Sequence, residues 1–367
     1  MAVKNVSDVT INLNITSLPT TGTAKIAILT SGSDSNAHAY TFNAINGVEN
    51  NFDENSNVYN LVDKAFKTDG FNGQVEVIVA PSADVSTGTT ATAQPGANGA
   101  TVTAASNTVN RFVFALKQHI DDGFNYVTDD NLGESDLEAV SDYLYKTQSA
   151  AFLTQVSSVS QYQTFEAYVA KNQPKTENKL SGAAAFTVTG PYKPVVQLIA
   201  KAAQINLDSG GIDIMKIGNL SEFVPDDGLT REDLAQLKSL RGNAIVDKAD
   251  MAMPLTGYAI GDNYLDEFVN TKIAKDYFQY KLQRALNDMK TRSYDQTTIN
   301  FLYSIAKQAG DDLVARNILA AAPVIDKTDF ANVTSDAVEN RYYNGFNISG
   351  QISGSVESMT FPINFAE

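Results

Sequence analysis

The sequence predicts a protein of α/β and α+β class that has two domains and an extended β-strand arm at each end. Short apolar segments alternate with amphipathic segments up to about residue 195, a pattern typical of the strands and helices of an α/β layer. The strongest helix prediction, from Tyr264 to about Thr291, lies in a second half of different character. Both ends of the chain alternate apolar and polar residues, as half-buried strands do.

The length and composition of the chain favour this division. At 367 residues it exceeds a typical single core, which favours two domains or one domain with a large insertion. A hydrophobic content of 43% and a charged content of 19% predict a globular protein rather than a disordered one. We divide it into an N-terminal arm and linker (1–23), an α/β domain (24–195), an α+β domain (196–319) and a C-terminal linker and β arm (320–367).

The N-terminal arm is predicted from the segment VTINLNITSLP. Val9, Ile11, Leu13 and Ile15 alternate with polar residues, and Pro19 ends the run. A two-stranded sheet alone is marginal in water, so such a terminal strand needs a host sheet. The host is either part of the same chain or part of a neighbouring subunit, and alternation alone does not decide between these.

The α/β domain is predicted from strands and helices that follow one another in order. Ser56 is a candidate N-cap of the first helix, and Ser135 and Glu138 have the spacing of a capping box in a later one. Residues 82–110 are rich in Thr, Ala and Gly and predict a long surface loop. The predicted strands are AKIAILTSG, QVEVIVAP, FNYVTDD and AAFLTQV, and the predicted helices are SNVYNLVDKAFKTDGF, NRFVFALKQHIDDG and SDLEAVSDYLYKT.

The α+β domain centres on the long helix predicted from Tyr264, which carries a continuous apolar stripe. A second long helix is predicted to begin at the candidate cap Asp295 and to end near Gly310. The remaining predicted helices are YKPVVQLIAKAAQ and REDLAQLKSLRGN, and the predicted strands are GGIDIMKIGN and NAIVDKADMAMPLTGYAIGD.

The C-terminal tail, FNISGQISGSVESMTFPINFAE, is also predicted to pair as a strand. Its apolar residues occupy one parity up to Val356 and the other parity from Met359, a phase change that a β-bulge or a bend between two strands would produce. The first set is Phe346, Ile348, Ile352 and Val356, and the second set is Met359, Phe361, Ile363 and Phe365.

Charge and residue usage exclude several classes of function. A formal charge of −15 argues against nonspecific binding to nucleic acid or to an anionic membrane. The start of the chain has no apolar segment of signal-peptide length, and no stretch approaches the length of a membrane span, so we expect a soluble product made in the cytosol. The absence of cysteine excludes disulfides, thiolate metal sites and cysteine nucleophiles.

Catalytic signatures are not found. His38 and His119 are the only histidines, and no G-x-S-x-G elbow accompanies Ser31 or Ser33. The Gly-rich turns do not complete a phosphate-binding motif, and the acidic segment from Asp129 fails the EF-hand spacing. We therefore predict no enzyme activity, no cofactor and no metal site. Solvated turns and helix starts are the preferred explanation of the acidic pairs at 121–122, 129–130, 226–227 and 311–312.

Taken in order, these segments resemble the contractile tail sheath proteins of tailed bacteriophages and related particles, most closely the compact sheaths. The resemblance extends from about residue 24 to the end of the chain. It rests on FDENSNVYNLVDKAF, GQVEVIVAP, GFNYVTDDN, LEAVSDYLYKTQSAAFLTQVSS, GNAIVDKADMAMPLTGYAIGDNYLDEFVNTKIAKDYFQYKLQRAL and NRYYNGFNISGQISGSV.

The resemblance implies that both arms cross to neighbouring subunits and complete a small sheet there. Residues 17–23 and 320–340 would be the linkers of the two arms. Backbone hydrogen bonds of an added strand give affinity with little side-chain specificity, and linkers let subunits reorient while strands stay paired. The implied intersubunit residues are Val9, Ile11, Leu13, Ile15, Phe346, Ile348, Ile352, Val356, Met359, Phe361 and Ile363.

The resemblance also implies the particle and its partners. The subunits would stack as hexameric rings around a tail tube, with the α/β domain outside and the α+β domain inside, and would contract to drive the tube through the host envelope. Partners would be other copies of the chain, the tail tube protein, and the baseplate and tail terminator proteins, without direct nucleic-acid binding or membrane insertion. The location would be the virion tail, assembled in the host bacterial cytoplasm.

Basic residues near the end of the long helix have two interpretations. They complement the helix dipole on a solvated face, or they form a positive strip that contacts the tube. The candidate tube-facing residues are Lys281, Arg284, Lys290 and Arg292. Two other functions stay open at this stage: a soluble α/β enzyme or small-molecule binding protein, and a β-augmenting surface protein such as an adhesin.

Overall fold

The computed structural model describes residues 24–87, 107–176, 179–205, 210–222 and 228–354. Its strands are β1 (Lys25–Ser31), β2 (His38–Phe42), β3 (Gln74–Ala80), β4 (Val85–Thr87), β5 (Asn107–Val109), β6 (Tyr126–Asp129), β7 (Ala151–Val156), β8 (Ala183–Thr187), β9 (Asn243–Asp247), β10 (Ala252–Pro254), β11 (Val324–Lys327) and β12 (Phe346–Ser349). Its helices are α1 (Asn57–Phe66), α2 (Arg111–His119), α3 (Glu134–Thr147), α4 (Val159–Asn172), α5 (Pro194–Gln204), α6 (Arg231–Ser239), α7 (Leu265–Asp288), α8 (Gln296–Ala315) and α9 (Ser335–Glu339).

Eight of the strands form one mixed sheet in the order β10-β9-β8-β7-β6-β1-β3-β2. The six strands from β9 to β3 are parallel, and the edge strands β2 and β10 are antiparallel to their neighbours. This sheet with its helices confirms the predicted α/β class. β9 and β10 belong to the same sheet, and α5 packs on one face of it. The predicted boundary at residue 195 therefore falls inside one continuous layer, and the division into two domains stays a prediction.

The sheet is buried on both faces, which is why its strands are apolar without alternation. In β1, Ile26 and Ile28 belong to one hydrophobic core, whereas Ala27 and Leu29 belong to the other. Side chains of α1 and α5 fill the first core, and side chains of α2, α3 and α4 fill the second. The helices thus lie on opposite faces, as parallel strands with helical crossovers require.

Capping explains where several helices begin. The Ser56 side chain accepts a hydrogen bond from Tyr59 N, and the Asp295 side chain accepts one from Thr298 N, so both predicted caps are confirmed. The predicted capping box in α3 is wrong. That helix begins one residue earlier, after Gly133, and has no side-chain cap.

We expect the substitution Ser56→Ala to lower the free energy of unfolding by about 1 kcal/mol, because it removes the only side chain that caps the N-terminus of α1. Urea denaturation at constant m-value measures this change. Ser135→Ala is the matched control, since Ser135 lies within the first turn of α3 without a capping role. Equal losses in the two variants would contradict the assignment of Ser56 as a cap.

Two further sequence predictions need correction. The segment GGIDIMKIGN was predicted as a strand, but Ile214–Lys216 form a 3₁₀ helix whose N-terminus is capped by the Asp213 side chain. α8 does not end near Gly310 but continues to Ala315. A Cβ atom at Gly310 would lie 2.5 Å from Pro323 Cγ, so the glycine serves a close approach between the helix and the following chain rather than a helix end.

The low-complexity segment leaves the α/β layer through a short stem. β4 and β5 pair antiparallel, with Val85 opposite Val109, and form a separate two-stranded sheet. Residues 88–106 of the predicted loop lie outside the described residues. The predicted loop therefore contains one strand near each of its ends, and these two strands pair with each other.

Candidate intersubunit surface

The C-terminal part of the described chain forms a two-stranded antiparallel sheet that packs on α8. Residues 328–345, which include α9, connect its two strands, and we call this sheet the hairpin. β11 pairs antiparallel with β12, with Val324 opposite Ser349 and Lys327 opposite Phe346. The pairing continues beyond the strands, because Ala320 N donates to Gln351 O and Ser353 N donates to Ile318 O, both at 2.9 Å. The first residues of the predicted C-terminal arm are thus paired within their own chain.

One face of this hairpin is covered and the other faces solvent. Ile325, Lys327, Phe346 and Ile348 are half-buried, whereas the alternate residues are exposed and Val324 is 61% exposed. Ile348 packs on a small apolar core that α7, α8 and the chain after α8 share. Its buried members are Ala274, Tyr277, Phe278, Ala309, Leu313, Ile318 and Leu319.

The register of the hairpin also determines which backbone groups point away from it. Thr328 N donates to Gly345 O at 2.9 Å, which makes Thr328 and Gly345 a hydrogen-bonded pair. Hydrogen-bonded and non-hydrogen-bonded pairs alternate along an antiparallel ladder. Ile325 and Lys327 therefore direct their N–H and C=O groups away from β12, toward the outer edge of β11. Among the described residues, no third strand joins the sheet of β11 and β12.

Aromatic rings anchor the loop that leads into β12. The Tyr343 ring lies 5.2 Å from the Phe346 ring and 6.4 Å from the Tyr294 ring, measured between centroids. The Tyr343 hydroxyl donates to Thr328 O at 2.7 Å, and the Tyr294 hydroxyl donates to Tyr342 O at 2.8 Å. These contacts fix the position of the hairpin relative to the start of α8.

An open groove of about 1780 Å³ lies beside the hairpin. One wall is the face of α7, another is the start of α8, and β12 with the chain to Gly354 forms the third. Its apolar lining includes Phe278, Leu282, Leu286, Ile299, Leu302 and Phe346. The groove therefore offers apolar surface beside β12.

The structure describes only part of the predicted arms. Phe346, Ile348 and Ile352 lie in or just after β12, and Ile352 forms an isolated bridge with Leu319. The other predicted intersubunit residues lie outside the described residues: Val9, Ile11, Leu13, Ile15, Val356, Met359, Phe361 and Ile363. Part of the predicted linker, Val324–Lys327, is a strand. The sequence reasoning missed it because only four residues follow Pro323 before the next turn.

The predicted positive strip is partly neutralised within the chain. Lys281 Nζ lies 3.3 Å from Asp312 Oδ2, and Arg284 Nε lies 3.7 Å from Asp288 Oδ2. A hydrogen bond from the Tyr277 hydroxyl and the Lys281 ammonium lower the pKa of Asp312. Arg292 donates to Leu286 O and to Asn287 Oδ1, while Lys290 is exposed. The surface around these four residues is thus less positive than their sequence predicts.

One of the acidic pairs departs from its predicted solvated setting. Asp129 is 8% exposed at the end of β6, where its Oδ2 accepts from Leu132 N and its Oδ1 lacks a well-aligned hydrogen bond. The explanation as a solvated turn is therefore wrong for Asp129. Burial is the main cause that raises its pKa to about 6, while the neighbouring Thr154 hydroxyl and the hydrogen bond from Leu132 N lower it.

Neither histidine is hydrogen-bonded to a serine in the part of the chain that the structure describes. His38 Nε2 lies 3.6 Å from Asp34 Oδ2 at the surface, and His119 Nδ1 lies 2.9 Å from Asp122 Oδ2. In the same part of the chain, no helix is long and apolar enough to cross a membrane.

Comparison with solved structures identifies the fold. The chain superimposes on a chain of the anti-feeding prophage baseplate, determined by cryo-EM with six-fold symmetry, with a TM-score of 0.63 at 13% identity over 100% of both chains. A chain of the same baseplate in its contracted state gives a TM-score of 0.56 at 12% identity, over 100% of this chain and 98% of that chain. This chain therefore has the fold of a chain of that prophage baseplate, which confirms the predicted resemblance as one of fold.

A third match is the sheath tail protein from Desulfitobacterium hafniense, at 11% identity over 84% of this chain and 90% of that chain. Its TM-score of 0.48 is too low to establish a common fold. No family model matches the sequence, and no curated protein matches it either.

Proposed function

We propose that this chain is a structural subunit of a contractile phage tail or a related tail-like particle, which assembles as a sheath around the tail tube. The observation that carries the proposal is the hairpin of β11 and β12, whose outer edges have no further strand among the described residues and whose β12 lies beside an open apolar groove. The shared fold with subunits of a tail-like particle supports it. The role requires no catalysis by this chain.

In this proposal the hairpin is the host sheet for the arms of neighbouring subunits. An added strand would pair with the outward backbone groups of Ile325 and Lys327 at the outer edge of β11. A second donated segment would cover the apolar groove beside β12. The predicted strand around Ile11 and the tail after Gly354 would be the donated arms. Each subunit would then both give and accept strands, so the subunits would form stacked hexameric rings linked into a mesh.

The contraction that we propose also follows from strand pairing. Rings that are joined through paired strands and linkers can reorient without dissociating, because backbone pairing is independent of the angle between the linked domains. Contraction would move the assembly from a metastable arrangement to one with more contact between subunits and would drive the tube through the host envelope. The tail tube, baseplate and terminator proteins would be its partners, and the α7 region would face the tube.

Electron microscopy and light scattering on three purified proteins test this proposal. One is the full chain, one lacks residues 1–18, and one ends at Gly354. The second truncation spares β12, which belongs to the hairpin of its own chain. We expect rings or tubes from the full chain and none from the folded truncations. If all three remain identical folded monomers, even when they are incubated with tail tubes, assembly through the arms is wrong.

A further inference from the structure

A cluster of charged side chains lies where α2 ends against the sheet, away from the hairpin. Glu76 on β3, His119 at the end of α2 and Asp122 just after it bring one ligand atom each within 4.8 Å of one another. His119 Nδ1 and Asp122 Oδ2 are 2.9 Å apart. Glu76 is fixed by the sheet, since it lies opposite Ala27 of β1 and Thr41 of β2. The cluster thus brings the end of α2 together with β3.

Glu76 is the unusual member of the cluster. It is 2% exposed, and its Oε2 lacks a well-aligned hydrogen bond within the described residues. The Lys25 ammonium lies 2.9 Å from this oxygen and also donates to Asp122 O at 3.0 Å. The single positive charge of Lys25 therefore does not balance the two negative charges of Glu76 and Asp122.

We propose that Glu76, His119 and Asp122 form a binding site for a divalent transition-metal ion, with Zn²⁺ as its representative. Zinc accepts imidazole nitrogen together with carboxylate oxygen, whereas Mg²⁺ and Ca²⁺ favour oxygen ligands alone. His119 and Asp122 have 21% and 40% exposed side chains, which leaves the ion a path from solvent and a position for water. The ion would tie the end of α2 to β3.

Lys25 is the internal competitor of such an ion. Its ammonium lies beside the Glu76 carboxylate, where it repels a second cation. Binding would require this side chain, which is 12% exposed, to move away from Glu76, so Lys25 lowers the affinity without supplying a ligand. The Lys25→Met substitution is therefore expected to tighten zinc binding roughly tenfold or more, because it removes a like charge a few ångströms from the ion.

Calorimetric titration of Zn²⁺ into the full-length protein, stripped of metal by a chelator, tests the proposal. We expect one site per chain, lost in His119→Gln and in Glu76→Gln, retained in His38→Gln and tightened in Lys25→Met. His38→Gln is a matched control because it removes the other histidine, which is paired with Asp34 at the surface. Failure of the wild type to bind, or equal binding by the His119→Gln and Glu76→Gln variants, would overturn the site.

Nuclear magnetic resonance on protein labelled with ¹⁵N in histidine gives a second readout that needs no variant. The chain has only 2 histidines, so the two imidazoles can be followed separately during the zinc titration. We expect the signals of His119 alone to shift and saturate at one equivalent. Shifts confined to His38, or equal at both rings without saturation, would mean surface binding and overturn the proposal even if a variant fails to fold.

Discussion

Replacing Asp129 with asparagine is expected to raise the free energy of unfolding by up to about 3 kcal/mol above pH 6. The carboxyl is buried at the end of β6, and burial raises its pKa from 3.8 to about 6 in the folded protein. The difference of 6 − 3.8 = 2.2 corresponds to about 3 kcal/mol at 1.36 kcal/mol for each pKa unit. A neutral amide of the same shape avoids the cost of ionising this buried group.

The direction of the pH dependence follows from the same shift. Between pH 3.8 and about 6 the folded protein keeps a proton on Asp129 that the unfolded chain has lost, so this group stabilises the fold at low pH. That contribution disappears as the pH rises through 6. The advantage of Asp129→Asn over the wild type should therefore be small near pH 3.8 and reach its full value above pH 6.

Denaturation curves of both proteins across this pH range measure the effect. Asp311→Asn is the control, since it makes the same chemical change at a side chain that is exposed on α8. A constant difference between Asp129→Asn and the wild type at all pH values would show that ionisation of Asp129 does not govern its cost.

The second large effect is expected on assembly. The Lys327→Pro substitution removes an N–H group that points to the outer edge of β11, away from β12. An arriving strand would leave one carbonyl without a donor, a loss of about 1–3 kcal/mol. Since one such contact is lost in each subunit, we expect the critical concentration for assembly to rise by roughly 5- to 150-fold, measured by sedimentation of the particles.

Lys327→Ala is the matched control for the backbone effect. Both variants lose the ion pair of Lys327 with Asp329 at 2.9 Å and the contact of its ammonium with the Tyr303 ring, but alanine keeps the N–H group. Proline is tolerated at a sheet edge when its missing N–H faces outward, so the hairpin itself should persist in circular dichroism. Equal critical concentrations of the two variants would exclude pairing at this edge of β11.

Much of the α/β layer was predictable because its signals are local. The apolar runs that became β1 and β3 could not serve as surface segments, and Ser56 and Asp295 cap the helices that follow them. Local sequence patterns gave wrong predictions where tertiary contacts determine the secondary structure. Gly310 has the character of a helix end but sits in mid-helix because Pro323 packs against it. Ile214 has strand-like neighbours, yet it lies in a 3₁₀ turn.

Of the two strands of the hairpin, only β12 was predictable from the sequence. The tail strand that contains Phe346 is clear from alternation, but its partner Val324–Lys327 has no alternation long enough to predict a strand. The same limit applies to charge. Lys281 counts as a free cation in the sequence, whereas the fold brings Asp312 of another helix to within 3.3 Å. Burial of Glu76 and Asp129 likewise depends on which helices cover the sheet.

The stem of β4 and β5 has a consequence for how this protein can change. Pairing of Val85 with Val109 holds the two chain ends about one strand spacing apart, roughly 5 Å, whatever connects them. Doubling the length of that connection costs only about 0.6 kcal/mol in closure entropy. We therefore expect insertions between β4 and β5 to be tolerated, so an epitope or an affinity peptide grafted there should leave the sheet and the hairpin intact.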